Sequence, residues 1–257
     1  MKTLLKFRKN IYSQAGEDGI IEEILKRLSI QDGWFVEFGA WDGKYLSNTY
    51  ALLKQGWKGV YIEGDKKKFE DLQKTASEFP NKLFPICAFV GLKGEFLLDS
   101  LLSKVNIPSE FEILSIDIDS YDWHVWKSVE KYSPKIVIIE INSSTPPDIK
   151  YIQPPGRTDL PFLKCGSSFI PMLELGKEKG YELVCHTGNM IFVRRDLIPK
   201  LNLPADELEN PYTLFITEHL MGGSNRIAAK ILYRLGLVAP GLASKIHAAY
   251  FKEPTFF

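Results

Sequence analysis

The sequence is short of most features that mark a specialised environment or partner. Its 257 residues hold three cysteines and four histidines, carry 32 basic against 32 acidic side chains, and contain no uninterrupted apolar run long enough to cross a bilayer. Cys87, Cys165 and Cys185 are odd in number and far apart, which argues for reduced thiols rather than a disulfide framework. His124, His186, His219 and His247 fall in no close His/Cys ligand spacing, so neither a zinc site nor a Cys–His nucleophile pair is supported. A formal net charge of zero removes the counterion-release term on which duplex binding relies, and no nucleic-acid partner is expected. The basic start, Met1 to Lys9, has no apolar segment of signal-peptide length behind it, so a cytoplasmic location is the expectation.

What is present reads as an α/β protein, with β-branched and aromatic runs alternating with stretches of helical period. A first helix is expected over Glu17 to Leu28, where Ile20, Ile21, Ile24, Leu25 and Leu28 share a face and Glu17 and Asp18 suit the positive end of the dipole. Strands are expected at Trp34–Phe38, Gly59–Glu63, Leu83–Val90, Ile113–Asp119 and Lys135–Asn142, with helices near Leu46–Gln55, Phe69–Phe79, Tyr121–Lys131 and Ser168–Lys179. Tyr181–Cys185 and Met190–Arg194, joined through Thr187-Gly188-Asn189, read as a hairpin that completes seven strands. The Pro-rich stretch from Asn142 to about Cys165 is long enough for a lid or substrate loop. Residues 1–200 then form one sheet domain and 201–257 a helical C-terminal extension. In that extension Arg226, Lys230 and Arg234 form a basic stripe beside Ile227, Ile231 and Leu235, which suits packing on the domain or a second subunit, or contact with an anionic membrane surface.

Polar residues gather at the expected strand ends, where open parallel sheets bind ligands. The first strand runs into Glu37-Phe38-Gly39-Ala40-Trp41-Asp42-Gly43, whose glycines permit a tight turn and close backbone approach. The second ends in Glu63-Gly64-Asp65, and an acid at that offset is placed to hydrogen-bond both hydroxyls of a ribose. The turn lacks the second glycine of the dinucleotide pattern, and Glu37 and Asp42 would repel a pyrophosphate. The same carboxylates suit the ammonium and sulfonium of S-adenosylmethionine, which leaves a dinucleotide oxidoreductase as a disfavoured reading.

The segments Phe35–Gly43, Gly56–Asp65 and Leu114–Asp119 together resemble the FkbM-type S-adenosylmethionine-dependent methyltransferases. Ser13-Gln14-Ala15-Gly16-Glu17-Asp18 and Leu175–Val184 resemble a branch of that family, so the likeness spans about residues 11 to 197. It implies a class I methyltransferase fold, Rossmann-like, with a seven-stranded, mostly parallel sheet whose last strand is antiparallel. It also implies O-methylation of a hydroxyl on a sugar, glycan or secondary metabolite. Cofactor contacts are then expected from Gln14, Glu37, Gly39, Ala40, Trp41, Gly43, Glu63, Gly64 and Asp117. Ser120 departs from the glycine that better-known members carry after the acidic strand end.

Methyl transfer is an in-line displacement that depends on positioning, and a neutral alcohol needs a base or a divalent metal to take or acidify its proton. Asp117 and Asp119, two apart on one strand face, and Glu140 and Asn142, likewise paired, are the candidates. The expectations are general-base chemistry from Asp117, Asp119 or His124, and a site for Mg²⁺ or another divalent cation at Asp119, Glu140 and Asn142. The bland alternatives are that Asp117 or Asp119 caps the following helix, and that the chain is a non-catalytic ligand-binding or scaffold protein of this fold.

Overall fold

Side chains alternate across each strand, and this alternation divides the core into two apolar layers on either side of one sheet. The computed structural model describes residues 3–157 and 165–216. Seven strands run as β1 (Trp34–Phe38), β2 (Lys58–Glu63), β3 (Leu83–Cys87), β4 (Ile113–Ile116), β5 (Ile136–Glu140), β6 (Tyr181–His186) and β7 (Asn189–Arg194). Their spatial order is β3-β2-β1-β4-β5-β7-β6. Pairings from β3 to β5 are parallel, while β7 inserts antiparallel between β5 and β6. This is the Rossmann-like class I methyltransferase architecture, and its direction of winding reverses between β1 and β4.

On one face Val36, Phe38, Val60, Ile62, Leu114, Ile116, Val137 and Ile139 pack against α4 (Leu98–Leu102), α5 (Asp122–Ser128) and α6 (Phe169–Glu178). On the other, Phe35, Tyr61, Ile113, Ile136 and Ile138 meet α1 (Glu17–Leu28), α2 (Tyr50–Lys54), α3 (Lys66–Glu78) and α7 (Ile198–Leu201). The helix α1 keeps the expected bounds and buries Ile20, Ile21, Ile24, Leu25 and Leu28. Its Glu17 also fastens the hairpin, accepting from Thr187 Oγ1 at 2.5 Å and Asn189 Nδ2 at 3.4 Å.

Several expected elements are shorter. The strand predicted to reach Asp119 stops at Ile116, and the one predicted to reach Asn142 stops at Glu140. The helix predicted from Leu46 begins at Tyr50, because Ser47, Asn48 and Thr49 turn inward to hydrogen-bond Glu37. Residues 201–216 stay on the domain. A short helix, α8 (Ala205–Glu209), places Glu207 to accept from Thr3 N at 2.9 Å, and Leu214 and Phe215 enter the core. The basic stripe at Arg226, Lys230 and Arg234 lies outside the described residues.

Candidate functional site

The exits of β1, β4 and β5 lie side by side, since β1 pairs with β4 and β4 with β5 in parallel register. Gly39 makes the closest approach. Its φ is +75°, and a Cβ there would run into the carbonyl oxygen of Asp117, so the backbones of the two exits touch. Gly43, also at +75°, closes the turn with its N–H on Ala40 O at 2.6 Å, under the ring of Tyr61. Between them Trp41 holds a positive φ of 46° and an exposed ring. A bulky residue at positive φ is costly and persists only where its surroundings hold it. Here the holder is Glu63.

Glu63 stands at the end of β2 and is buried. Its Oε2 accepts from Trp41 N at 2.9 Å and its Oε1 from Asp65 N at 2.8 Å. A carboxylate offers about four acceptor positions, so each oxygen has the capacity for one further hydrogen bond. Gly64 follows with no side chain, and the ring of Phe89 covers the place a Cβ would fill.

Glu37 has a different surrounding. It is buried, with Oε2 accepting from Ser47 Oγ at 2.8 Å and from Thr49 Oγ1, and Oε1 from Asn48 N at 3.0 Å. Burial pushes its pKa up, against the opposing pull of these donors. The network pins the loop that follows the β1 turn, and Asn48 extends it by donating to Ser115 Oγ at 3.1 Å. Gln14 lies exposed before α1, beside the bridge between Ser13 and Leu46, with its carbonyl accepting from Asn10.

Asp117, Asp119 and Glu140 converge, each offering a carboxylate oxygen within 4.8 Å of the others. Asp117 and Glu140 hydrogen-bond one another, and burial followed by neighbouring negative charge drives both pKa values upward, Asp117 to about 7. Two carboxylates in contact cannot both ionise cheaply, so the pair retains a shared proton through neutral pH. Asp119 is exposed and takes a left-handed φ of 56°, tolerable for aspartate. The strand ends before Asp117, so the convergence comes from this turn rather than from strand alternation.

The residue that makes the turn was not singled out from the sequence. Asp122, fully buried at the start of α5, accepts from Ile118 N at 2.9 Å and Ser120 N at 3.0 Å. Neither Asp117 nor Asp119 caps the helix; Asp122 reaches back and fixes the segment that carries them. Burial raises its pKa to about 6, opposed by those amides. The available signal was an aspartate in the first turn of a predicted helix, a residue type that bonds nearby backbone amides.

His124 Nε2 lies 2.9 Å from the carbonyl oxygen of Gln153. A carbonyl only accepts, so Nε2 carries the proton and cannot serve as a base there. Asn142 spends its amide on Cys165 O at 3.0 Å and accepts from Ser144 Oγ. Gln153, also missed, is buried and joins the Pro-rich segment to Gly166 through its Oε1 at 2.6 Å and to Arg157 O through its Nε2 at 2.7 Å. These three residues fasten the described ends of that segment.

No protein-family model matches this chain, and no curated protein matches it in sequence. Among solved structures, it is similar to the glycopeptide N-methyltransferase MtfA complexed with sinefungin, at 13% identity and a TM-score of 0.41, over 71% of this chain and 94% of that one. It is also similar to an S-adenosylmethionine-dependent methyltransferase from Clostridium acetobutylicum, at 11% identity and a TM-score of 0.43, over 69% and 90% of the two chains. A third, an S-adenosylmethionine-dependent methyltransferase from Aquifex aeolicus, matches at 10% identity and a TM-score of 0.38, over 66% and 85%.

Proposed function

We propose that this chain is an S-adenosylmethionine-dependent O-methyltransferase acting on a hydroxyl of a sugar, glycan or secondary metabolite. The observation that carries the reading is the row of carboxylates across adjacent strand exits. Glu63 at β2 keeps acceptor positions for ribose hydroxyls, and Asp117, Asp119 and Glu140 at β4 and β5 form a negative patch suited to a cationic group. The segments that resemble FkbM-type methyltransferases, Phe35–Gly43, Gly56–Asp65 and Leu114–Asp119, support this reading. Bound S-adenosylmethionine would supply an electrophilic methyl group on a positively charged sulfur.

The chain's own residues do the rest. Gly39 offers backbone without a side chain at the β1 exit, Gly43 closes the turn under Tyr61 with Ala40 buried, the Trp41 ring stands exposed beside them, and the Phe89 ring lies over Gly64 next to Glu63. Glu37 shapes this surface from behind through Ser47, Asn48 and Thr49. The Asp117–Glu140 pair holds one proton, and Asp117, titrating near neutrality, is matched to removing the acceptor's hydroxyl proton. His124 and Asn142 act by holding the Pro-rich segment.

The oxygen-only group of Asp117, Asp119 and Glu140 also fits a hard divalent cation such as Mg²⁺, with Asp117 in place of the Asn142 expected from sequence. A cation there would displace the shared proton. Methyl transfer from labelled S-adenosylmethionine to a panel of polyols and glycosides, with and without EDTA, tests both points. Turnover unaffected by chelator assigns the cluster to proton transfer, loss restored by Mg²⁺ assigns it to the metal, and absence of transfer together with absence of cofactor binding returns the chain to a non-catalytic role.

A further inference from the structure

Large apolar side chains left exposed among the described residues concentrate on one edge of the molecule. Trp41, Tyr45 and Leu46 lie in the β1–α2 connection, and Phe89 and Phe96 in the β3–α4 connection, all beyond the carboxyl ends of strands. Phe89 is 73% exposed, Tyr45 62% and Phe96 52%, more than edge-of-core residues show. Single exposed hydrophobics need no explanation, but a continuous band does. Continuity is supplied by close neighbours. The rings of Trp41 and Tyr45 are 5.5 Å apart, Glu63 joins Trp41 N to the β2 exit, the Phe89 ring covers Gly64, and Gly91 N–H bonds Phe96 O at 2.7 Å.

Lysines accompany this band. Lys66, Lys67 and Lys68 are consecutive and exposed in the first turn of α3, with Lys68 Nζ 4.7 Å from the Trp41 ring centre, and exposed Lys93 precedes Phe96 by three positions. Cations at a helix N-terminus oppose the helix dipole, so three in succession are not placed there for helix stability. Asp65, which caps Lys67 N and Lys68 N, and Glu95, beside Phe96, are the acids next to these lysines, which outnumber them four to two. The described chain ends on the same face of strand exits, at the far end of the strand order from the band. Ile216 N bonds His186 at the end of β6, a strand parallel to β5, and the sequence beyond it contains Arg226, Lys230 and Arg234.

We propose that this edge seats on an anionic bilayer, with the aromatic rings in the headgroup layer and the lysines against lipid phosphates. Aromatic rings interleaved with lysine match the composition of membrane-interface surfaces, and charge complementarity selects an anionic lipid face over a neutral one. Seated this way, the strand exits face a hydroxyl presented at the membrane surface. Attachment is measured without turnover, so this proposal stands or fails separately from the methyl-transfer reading.

The test is co-sedimentation of the full-length chain with vesicles of phosphatidylcholine alone and of phosphatidylcholine with an equal part of phosphatidylglycerol. The expected result is partition onto the anionic vesicles, about fivefold weaker for Lys67→Gln and at least tenfold weaker for the Tyr45→Ser/Phe96→Ser pair. Far-ultraviolet circular dichroism and melting temperature check that the variants fold, and Lys67→Gln provides an independent reading should the aromatic pair fail to. Three results overturn the proposal: no partition onto anionic vesicles, wild-type partition by both variants, which would place binding in the tail, or sedimentation without vesicles, which would make the band a contact between copies.

Discussion

Replacing Asp117 by asparagine should make the protein more resistant to unfolding at alkaline pH and leave it little changed in acid. In an unfolded chain an aspartate ionises near 3.8, whereas at this site burial and the charges of Asp122 and Asp119 raise it to about 7. Between those values the folded state binds the proton more tightly than the unfolded state. The stabilising contribution is therefore complete below about pH 4 and is lost as pH rises through about 7. A rise from 3.8 to about 7 corresponds to about 4 kcal/mol, and sharing of the proton with Glu140 brings the expected gain of the variant at pH 8 to about 2–4 kcal/mol. Asparagine retains a carbonyl to accept from protonated Glu140, so the variant keeps the shape and removes the charge. Urea unfolding at pH 4.5 and 8, with chelator present so that no cation replaces the proton, should show the variant's midpoint higher by about 1 M at pH 8 only. Parallel curves for the two proteins across that pH range would refute the shared buried proton.

Three further substitutions probe the rest of the site. Glu63→Ala removes the acceptor proposed for cofactor hydroxyls and should weaken S-adenosylmethionine binding by about 1.5–3 kcal/mol per lost hydrogen bond, read by calorimetry; unchanged affinity removes Glu63 from the site. Asp122→Ala strips two amides of their carboxylate partner and should cost about 2–4 kcal/mol in denaturant unfolding while lowering kcat more than it raises KM; a change confined to KM would contradict a positioning role. Gly39→Ala sets a methyl group against the Asp117 carbonyl at a positive φ, and a loss of more than about 3 kcal/mol is expected; a stable, fully active variant would show that the β1 and β4 exits need not touch.

The sheet was legible in the sequence because strands buried on both faces read as β-branched runs, and Ile113–Ile116 and Ile136–Glu140 are of that kind. Their ends were overrun, since Asp117 and Asp119 continue the alternation in sequence while the backbone turns at Asp119. The acids at the exits were visible as residue types; which of them are satisfied internally was not. Glu37 meets Ser47, Asn48 and Thr49 only after the loop folds back, and Asp122 acts on amides two and four residues earlier. His124 was an open candidate until Gln153, twenty-nine positions away, came within hydrogen-bond distance. Long-range partners of this kind leave no local periodicity to read.

The central claim is that the carboxylate-lined strand exits bind S-adenosylmethionine. Isothermal calorimetry of the full-length chain against S-adenosylmethionine, with NAD as the comparison ligand, tests it most directly. Saturable one-to-one heat is expected with S-adenosylmethionine, weakened in Glu63→Ala, and none with NAD. Absence of saturable heat with S-adenosylmethionine, or equal binding of NAD, would contradict it.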